Sequence, residues 1–176
     1  MSLLTVGSVA FDVLETPFGK TGKILGGAAT YITLAASYFT QKNNLVAIVG
    51  DDFPQSMRSV LENRGINTEG VEVRKGEKTF YWSGKYHDNM NVRDTVEVQL
   101  NVMGDFDPQI PKSFQGAKYL MLGNTSPTIQ KSVLDRLHKR PKLVMLDTMN
   151  LWIENTYDDL RTVLRQVDIL TINDED

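Results

Sequence analysis

Four short, uninterrupted apolar runs separated by helical patterns constrain this chain more than any other feature. They are Leu45-Val46-Ala47-Ile48-Val49 before Gly50-Asp51-Asp52, Tyr119-Leu120-Met121-Leu122, Leu143-Val144-Met145-Leu146 before Asp147, and Asp168-Ile169-Leu170-Thr171-Ile172 before Asn173. A run of β-favouring residues without alternation is a strand buried on both faces, and such strands belong to parallel sheets covered by helices. The segments between them have helical periods. Met57, Val60, Leu61 and Arg64 recur at i, i+3, i+4, i+7, and Gly65 stands where a helix would stop. Ser126 and Pro127 form an N-cap and first-turn pair before Ile129, Val133, Leu134 and Leu137. Thr156 is placed to cap a helix whose apolar face is Leu160, Val163, Leu164 and Val167. With Leu4 to Val9 in front, five strands alternate with helices, which predicts a Rossmann-like α/β fold of three layers, helices on both faces of a mostly parallel sheet.

Two segments need separate treatment. From Ile24 to Gln41 the chain runs 18 residues without a charge. It is too rich in Gly, Ala, Thr and Ser for a membrane span and reads as a buried helix with Tyr31, Leu34, Ala35 and Tyr38 as its apolar face. From Val71 to Val102 no helical period exists. Thr95 to Val102 alternates polar and apolar, Thr79 to Tyr86 is aromatic and β-rich, and His87 to Asn91 supplies a turn. The pattern predicts a small antiparallel β lid inserted at about residues 71–104 of one domain spanning 1–176. A lid standing off a sheet serves to exclude water from a site beneath it.

Composition removes several function classes. The 176 residues contain no Cys, so thiolate metal sites, disulfides and Cys nucleophiles are excluded. The formal charge of −3 argues against a nucleic-acid binder with a broad basic face. No signal-peptide pattern opens the chain, and a cytoplasmic location with no membrane partner is expected. His87 and His138 are widely spaced and are not read as metal ligands. The dinucleotide, P-loop and GxSxG fingerprints are absent.

Open parallel sheets bind ligands beyond the carboxyl ends of their strands. The sequence puts Ser8 and Asp12 after the first strand, Gly50-Asp51-Asp52 after the second, and Gly123-Asn124-Thr125-Ser126 after the third. Asp147-Thr148-Met149-Asn150 and Asn173-Asp174-Glu175-Asp176 follow the last two. Such acids and amides suit sugar hydroxyls and a hydrated Mg²⁺. Asp51-Asp52 and Asp158-Asp159 are also explained as acids at helix starts. Asp12 has no evident helix to cap. Gly26-Gly27 opens the uncharged helix and would let a ligand approach backbone N–H groups.

The order of these motifs resembles the ribokinase-like (PfkB) family of carbohydrate kinases. Val6-Gly7-Ser8-Val9 with Asp12, Gly26-Gly27, Val49-Gly50-Asp51-Asp52, Asp147 with Asn150, and Val167 to Leu170 leading into Asn173 carry the likeness. It covers essentially the whole chain. The resemblance implies a ribokinase-like fold, ATP and Mg²⁺ as cofactors, and phosphorylation of a hydroxymethyl group on a sugar, nucleoside or similar alcohol. By position, Asp12 would hold substrate hydroxyls, with Gly26, Gly27, Tyr31, Asn124, Asp147 and Asn150 along the same pocket. Asn173 and Asp176 would lie at the metal and phosphate edge. Departures are Tyr31 and Ala10 where the family usually has Asn, Gln55 where it often has Gly, and Asp176 where it has Glu. The family's catalytic Asp and most of its ATP site fall beyond residue 176, so the resemblance places no catalytic residue in this chain. It implies that the C-terminal part of the fold is missing and the 176-residue polypeptide is inactive alone. A nucleoside kinase, suggested by Tyr31 and Phe80-Tyr81-Trp82, is the first alternative, and a non-catalytic sugar-binding or regulatory module the second. The lid also suggests a homodimer.

Overall fold

A computed structural model describes residues 2–174. The chain begins with β1 (Ser2–Val6), β2 (Ala10–Thr16), β3 (Gly19–Lys20) and β4 (Ile24–Gly26), then α1 (Ala28–Ala36), β5 (Lys42–Gly50), α2 (Gln55–Glu62) and β6 (Ile66–Arg74). It continues through β7 (Tyr81–Tyr86), β8 (Arg93–Gln99), β9 (Tyr119–Leu122), α3 (Pro127–Arg136), β10 (Leu143–Asp147), α4 (Asn150–Asn155), α5 (Tyr157–Leu164) and β11 (Ile169–Thr171).

The main sheet has six strands in the order β11-β10-β9-β1-β5-β6, and every neighbouring pair is parallel. The apolar run of β5 shows why it forms the centre. Leu45, Ala47 and Val49 pack with Ala29, Leu61 and Ile66 on one face. Val46 and Ile48 pack on the other with Leu4, Leu120, Leu146, Phe114, Val133 and Val163. The alternation of Cβ directions thus fills two cores from one run of sequence, with α1 and α2 over one face and α3 and α5 over the other.

The second sheet is a lid of order β3-β2-β7-β8, with β4 also on β2. It is mixed rather than purely antiparallel, because β2 and β7 run parallel. The expected insertion at 71–104 describes only part of it. Residues 66–74 are the edge strand β6 of the main sheet, paired with β5, and the lid draws β2, β3 and β4 from the first 26 residues. The cause is non-local: β2 meets β7 across some seventy residues of chain, a pairing that local periodicity does not encode.

Three local expectations change. Helix α1 buries Ala29, Thr30 and Thr33 and turns Tyr31 outward at 52% exposure, and Tyr38, in the turn beyond its end, is 70% exposed. Small residues win the inner face because the helix lies close on the sheet, and the hydroxyls of Thr30 and Thr33 donate to carbonyls four residues back. Asp51 and Asp52 do not cap α2, whose N-cap is Pro54. Asp51 accepts the Gly76 N–H, and Asp52 accepts both the N–H and the hydroxyl of Thr79, tying the end of β5 to the entry of the lid. The strand expected over 168–172 is short, and Ile169 and Leu170 are about two-fifths exposed at 42% and 41%. Among the described residues no helix is long and apolar enough to cross a membrane.

Phe114, on a single 3₁₀ turn, is among the largest fully buried side chains and plugs the second core. Phe114→Ala is expected to lower the unfolding free energy by about 3–5 kcal/mol, whereas Phe18→Ala, at a site 89% exposed, changes it by less than about 0.5 kcal/mol. Urea denaturation of both variants checks the assignment of the core.

Candidate active site

All six main-sheet strands point the same way, so their carboxyl ends form one rim. Register aligns Val6 with Leu122 and Leu122 with Leu146, and Asp147 with Thr171. Ser8, Asn124, Asp147 and Asn173 therefore follow strand ends along this single rim, and the lid springs from it where β1 runs on into β2.

The tightest constellation lies where lid and rim meet. Asp12 on β2 is opposite Ile24 on β4, and its carboxyl lies directly against the Cα of Gly26: a Cβ built there would overlap Asp12 Cγ and both carboxyl oxygens. Gly27 has φ +92°, and a side chain on it would strike the Ser8 carbonyl. Both glycines are thus demanded by close approach. The Gly27 N–H donates to the Asp12 carboxylate, and the next amides of α1 go to Ser8: Ala28 N–H to Oγ at 3.0 Å and Ala29 N–H to the carbonyl at 3.0 Å. This corrects the expectation that Gly27 offers its N–H to a ligand, since that donor is already taken. The glycines instead let a carboxylate sit at the helix start.

Burial pushes the Asp12 carboxyl up to about 6, against the opposing effect of the Gly27 hydrogen bond. Tyr31 stands beside it. Its phenol is pushed up by burial, then by the charge of Asp12, then by Tyr86, and its hydroxyl donates to the Leu25 carbonyl at 3.3 Å. Asp12, Gly26, Gly27 and Tyr31 are therefore brought together, with Tyr86 of the lid added.

Asn124 follows β9, where Gly123 packs against Ala28 and Ile32 of α1. Its Oδ1 accepts the indole N–H of Trp152 at 2.8 Å. Buried Gln130 links the next two strand ends, donating to the carbonyls of Gly123 and Asp147 at 3.0 Å each. Asp147 ends β10 and is half-buried, and exposed Asn150 opens α4, its Oδ1 accepting from the Leu151 N–H. Asn173 is exposed beyond β11, and Asp176 lies outside the described residues. Sequence reasoning missed Gln130, Trp152 and Tyr86. The first two are polar groups on helices whose periods revealed only apolar faces, and the third sits in the lid with no motif around it.

A family model described as pfkB family carbohydrate kinase matches residues 3–176. The chain belongs to this family. No curated protein matches it by sequence. Among solved structures, the nucleoside kinase of Burkholderia thailandensis in complex with inosine is similar at a TM-score of 0.77 and 14% identity, covering 99% of this chain and 61% of that one. The Methanocaldococcus jannaschii nucleoside kinase, an archaeal member of the ribokinase family, gives 0.73 at 17% identity, with 99% and 62% covered. Ribokinase from Cryptococcus neoformans in complex with ADP gives 0.66 at 17% identity, with 83% and 50% covered. The likeness shows a ribokinase-like three-layer fold, and this chain spans between 50% and 62% of the length of these three relatives.

The pfkB family implies ATP and Mg²⁺. Among the described residues no group of three or more His, Cys, Asp or Glu is placed to hold a metal ion, so by themselves they do not make a magnesium cage.

The raised Asp12 has a consequence for stability. The folded carboxyl holds its proton more tightly than the unfolded one, so stability is full below about pH 4 and falls as pH rises through about 6. The shift converts to at most about 3 kcal/mol, and solvent at this partly exposed group reduces it to about 1 kcal/mol. Asp12→Asn, which keeps an acceptor for Gly27, is expected to be more stable than the parent by that amount at pH 7.5 and equal to it at pH 4. Gly26→Ala is expected to lose about 1–3 kcal/mol through overlap with Asp12. Thermal melts across this pH range test both, and an Asp12→Asn variant no more stable at pH 7.5 removes the burial account.

Proposed function

We propose that this chain supplies the acceptor-binding part of an ATP-dependent kinase that phosphorylates a hydroxymethyl group on a sugar or sugar-like alcohol. One observation carries the reading: a carboxylate wedged on Gly26 at the junction of rim and lid, only partly shielded from solvent and facing no cation that lowers its pKa. Such a group gains by accepting hydroxyl donors, and phosphoryl transfer asks a protein chiefly to position and orient the acceptor. Asp12 would take two vicinal hydroxyls. Asn124, Asp147 and Asn150 would line the rim beyond, and Tyr31 would close one side. ATP with Mg²⁺ would supply the phosphoryl group. The proton acceptor, most of the nucleotide site and the metal ligands would come from outside the described residues, so this polypeptide is expected to bind acceptor without turning over ATP.

A nucleoside acceptor is favoured by a separate observation. Trp82 lies on the same lid face as Asp12, and Tyr31, near Asp12 and Tyr86, is half exposed, so a base would have aromatic surfaces to stack on. The lid also carries Val96 and Val98 at 67% and 47% exposure, on which a second copy of the chain would pack, and light scattering reads the resulting mass.

Calorimetric titration of ribose, fructose and inosine tests the reading. Binding of at least one is expected, weakened about tenfold or more by Asp12→Asn, a loss of about 1.4 kcal/mol. Affinity is also expected to fall as pH drops through about 6, since the acceptor needs the ionised carboxylate. Equal binding by parent and variant would exclude Asp12 as the hydroxyl ligand.

A further inference from the structure

Asn124 is held at the rim by two helices, one acting on its backbone and one on its side chain. Gln130 of α3 fixes the backbone. The ladder between β9 and β10 ends at Leu122 opposite Leu146. The buried Gln130 amide carries the connection one residue further, by donating to the carbonyls of Gly123 and Asp147. Its backbone N–H donates to the Ser126 carbonyl at 3.1 Å. The segment from Gly123 to Ser126 is thus tied at both ends to one residue.

Half-buried Trp152 of α4 fixes the side chain, its indole N–H donating to Asn124 Oδ1 at 2.8 Å. An indole nitrogen is a donor and nothing else, so the atom it meets is the amide oxygen. Turning the amide over would set N–H against N–H and break the bond. Asn124 is left with its NH2, and among the described residues those donors meet no protein acceptor. Asp12 is the converse, because an ionised carboxylate only accepts. Both stand along one stretch of the rim. Gly123, next to Asn124, packs against Ala28 of α1, and Ala28 follows Gly27, whose N–H holds the Asp12 carboxylate.

Resting on the kinase reading above, we propose that Trp152 is a positioning residue that makes Asn124 a pure donor, selecting a furanose whose ring oxygen faces Asn124 while its vicinal hydroxyls face Asp12. A ring oxygen carries lone pairs and no proton, so it suits an NH2 and is repelled by a carboxylate. In a furanose it lies on the edge of the ring opposite the vicinal diol. That division matches an accepting Asp12 and a donating Asn124. An amide free to turn over would accept hydrogen bonds as readily as give them, and would not tell the two edges apart. Trp152 removes that freedom by holding the oxygen, and does so without a contact of its own to the sugar.

The test is calorimetry with ribose and inosine, each titrated beside its cyclopentane analogue, in which CH2 replaces the ring oxygen. At least one is expected to bind in a way that depends on Asp12 and to outbind its analogue about fivefold, the size of one neutral hydrogen bond. Trp152→Phe keeps an aromatic ring, loses the N–H, and should reduce that preference to less than about twofold. Asn124→Ala should do the same, and adding Trp152→Phe to it should change the preference no further, because the two side chains act as one unit. A merely structural Trp152 would instead weaken sugar and analogue alike, and its effect would add to that of Asn124→Ala. Asn124→Asp keeps Trp152 and its bond, so it reads the same edge even if Trp152→Phe fails to fold, and it should reverse the preference. The proposal is overturned, with the kinase reading standing, if Asp12-dependent binding shows no preference for the ring oxygen, if Trp152→Phe or Asn124→Asp keeps it, or if the two substitutions add. If no probe binds, or none is weakened by Asp12→Asn, both readings are overturned.

Discussion

A strand buried on both faces has no room for polar chemistry along its length. In β5 the side chains of residues 45 to 49 are divided between two apolar cores, and β9 and β10 are constrained in the same way; in β1 the buried polar exception is Thr5. Any buried polar group there would need a partner or cost about 1–3 kcal/mol. The parallel arrangement then collects all carboxyl ends on one edge, so chemistry accumulates at the rim as a consequence of packing. The ribokinase-like fold concentrates Ser8, Asn124 and Asp147 by this constraint.

The junction between rim and lid depends on it in turn. Because β1 ends at Val6 and the chain is already in the lid by Ala10, the intervening Ser8 is held where it serves the amides of α1. Asp12 and the two glycines complete the helix start. The local arrangement satisfies donors that would otherwise be orphaned, and it does so with a carboxylate partly removed from water. Burial of that charge opposes stability. Asp51 and Asp52 show the contrast: each is spent on the backbone of residues 76–79, and they act as braces between sheet and lid.

Much of the architecture was readable in the residues. The runs at 45–49, 119–122 and 143–146 became β5, β9 and β10, and Ser126-Pro127 opens α3. Those features are local, set by side-chain period and cap chemistry. Strand β6 was missed because an edge strand is wet on one side and carries Asn67, Glu69 and Glu72. The face of α1 was misread because bulk suggested Tyr31 and Tyr38, whereas close contact with the sheet selected Ala29, Thr30 and Thr33. Asp12 stands out in the sequence because no helix directly follows it along the chain, although in the fold it meets the start of α1 through the Gly27 N–H; Gln130 and Trp152 do not stand out.

By itself, the sequence determined which strands are central, where each ends, and that acids and amides follow those ends, because period and turn chemistry act over a few residues. The tertiary structure decided what those groups meet. The wedge of Asp12 on Gly26, the parallel pairing of β2 with β7, and the register shift between Ser83 and Gly84 in the pairing of β7 with β8 are cross-strand features. A register joins positions far apart along the chain, and a single extra residue inverts it, so no local pattern could have announced it.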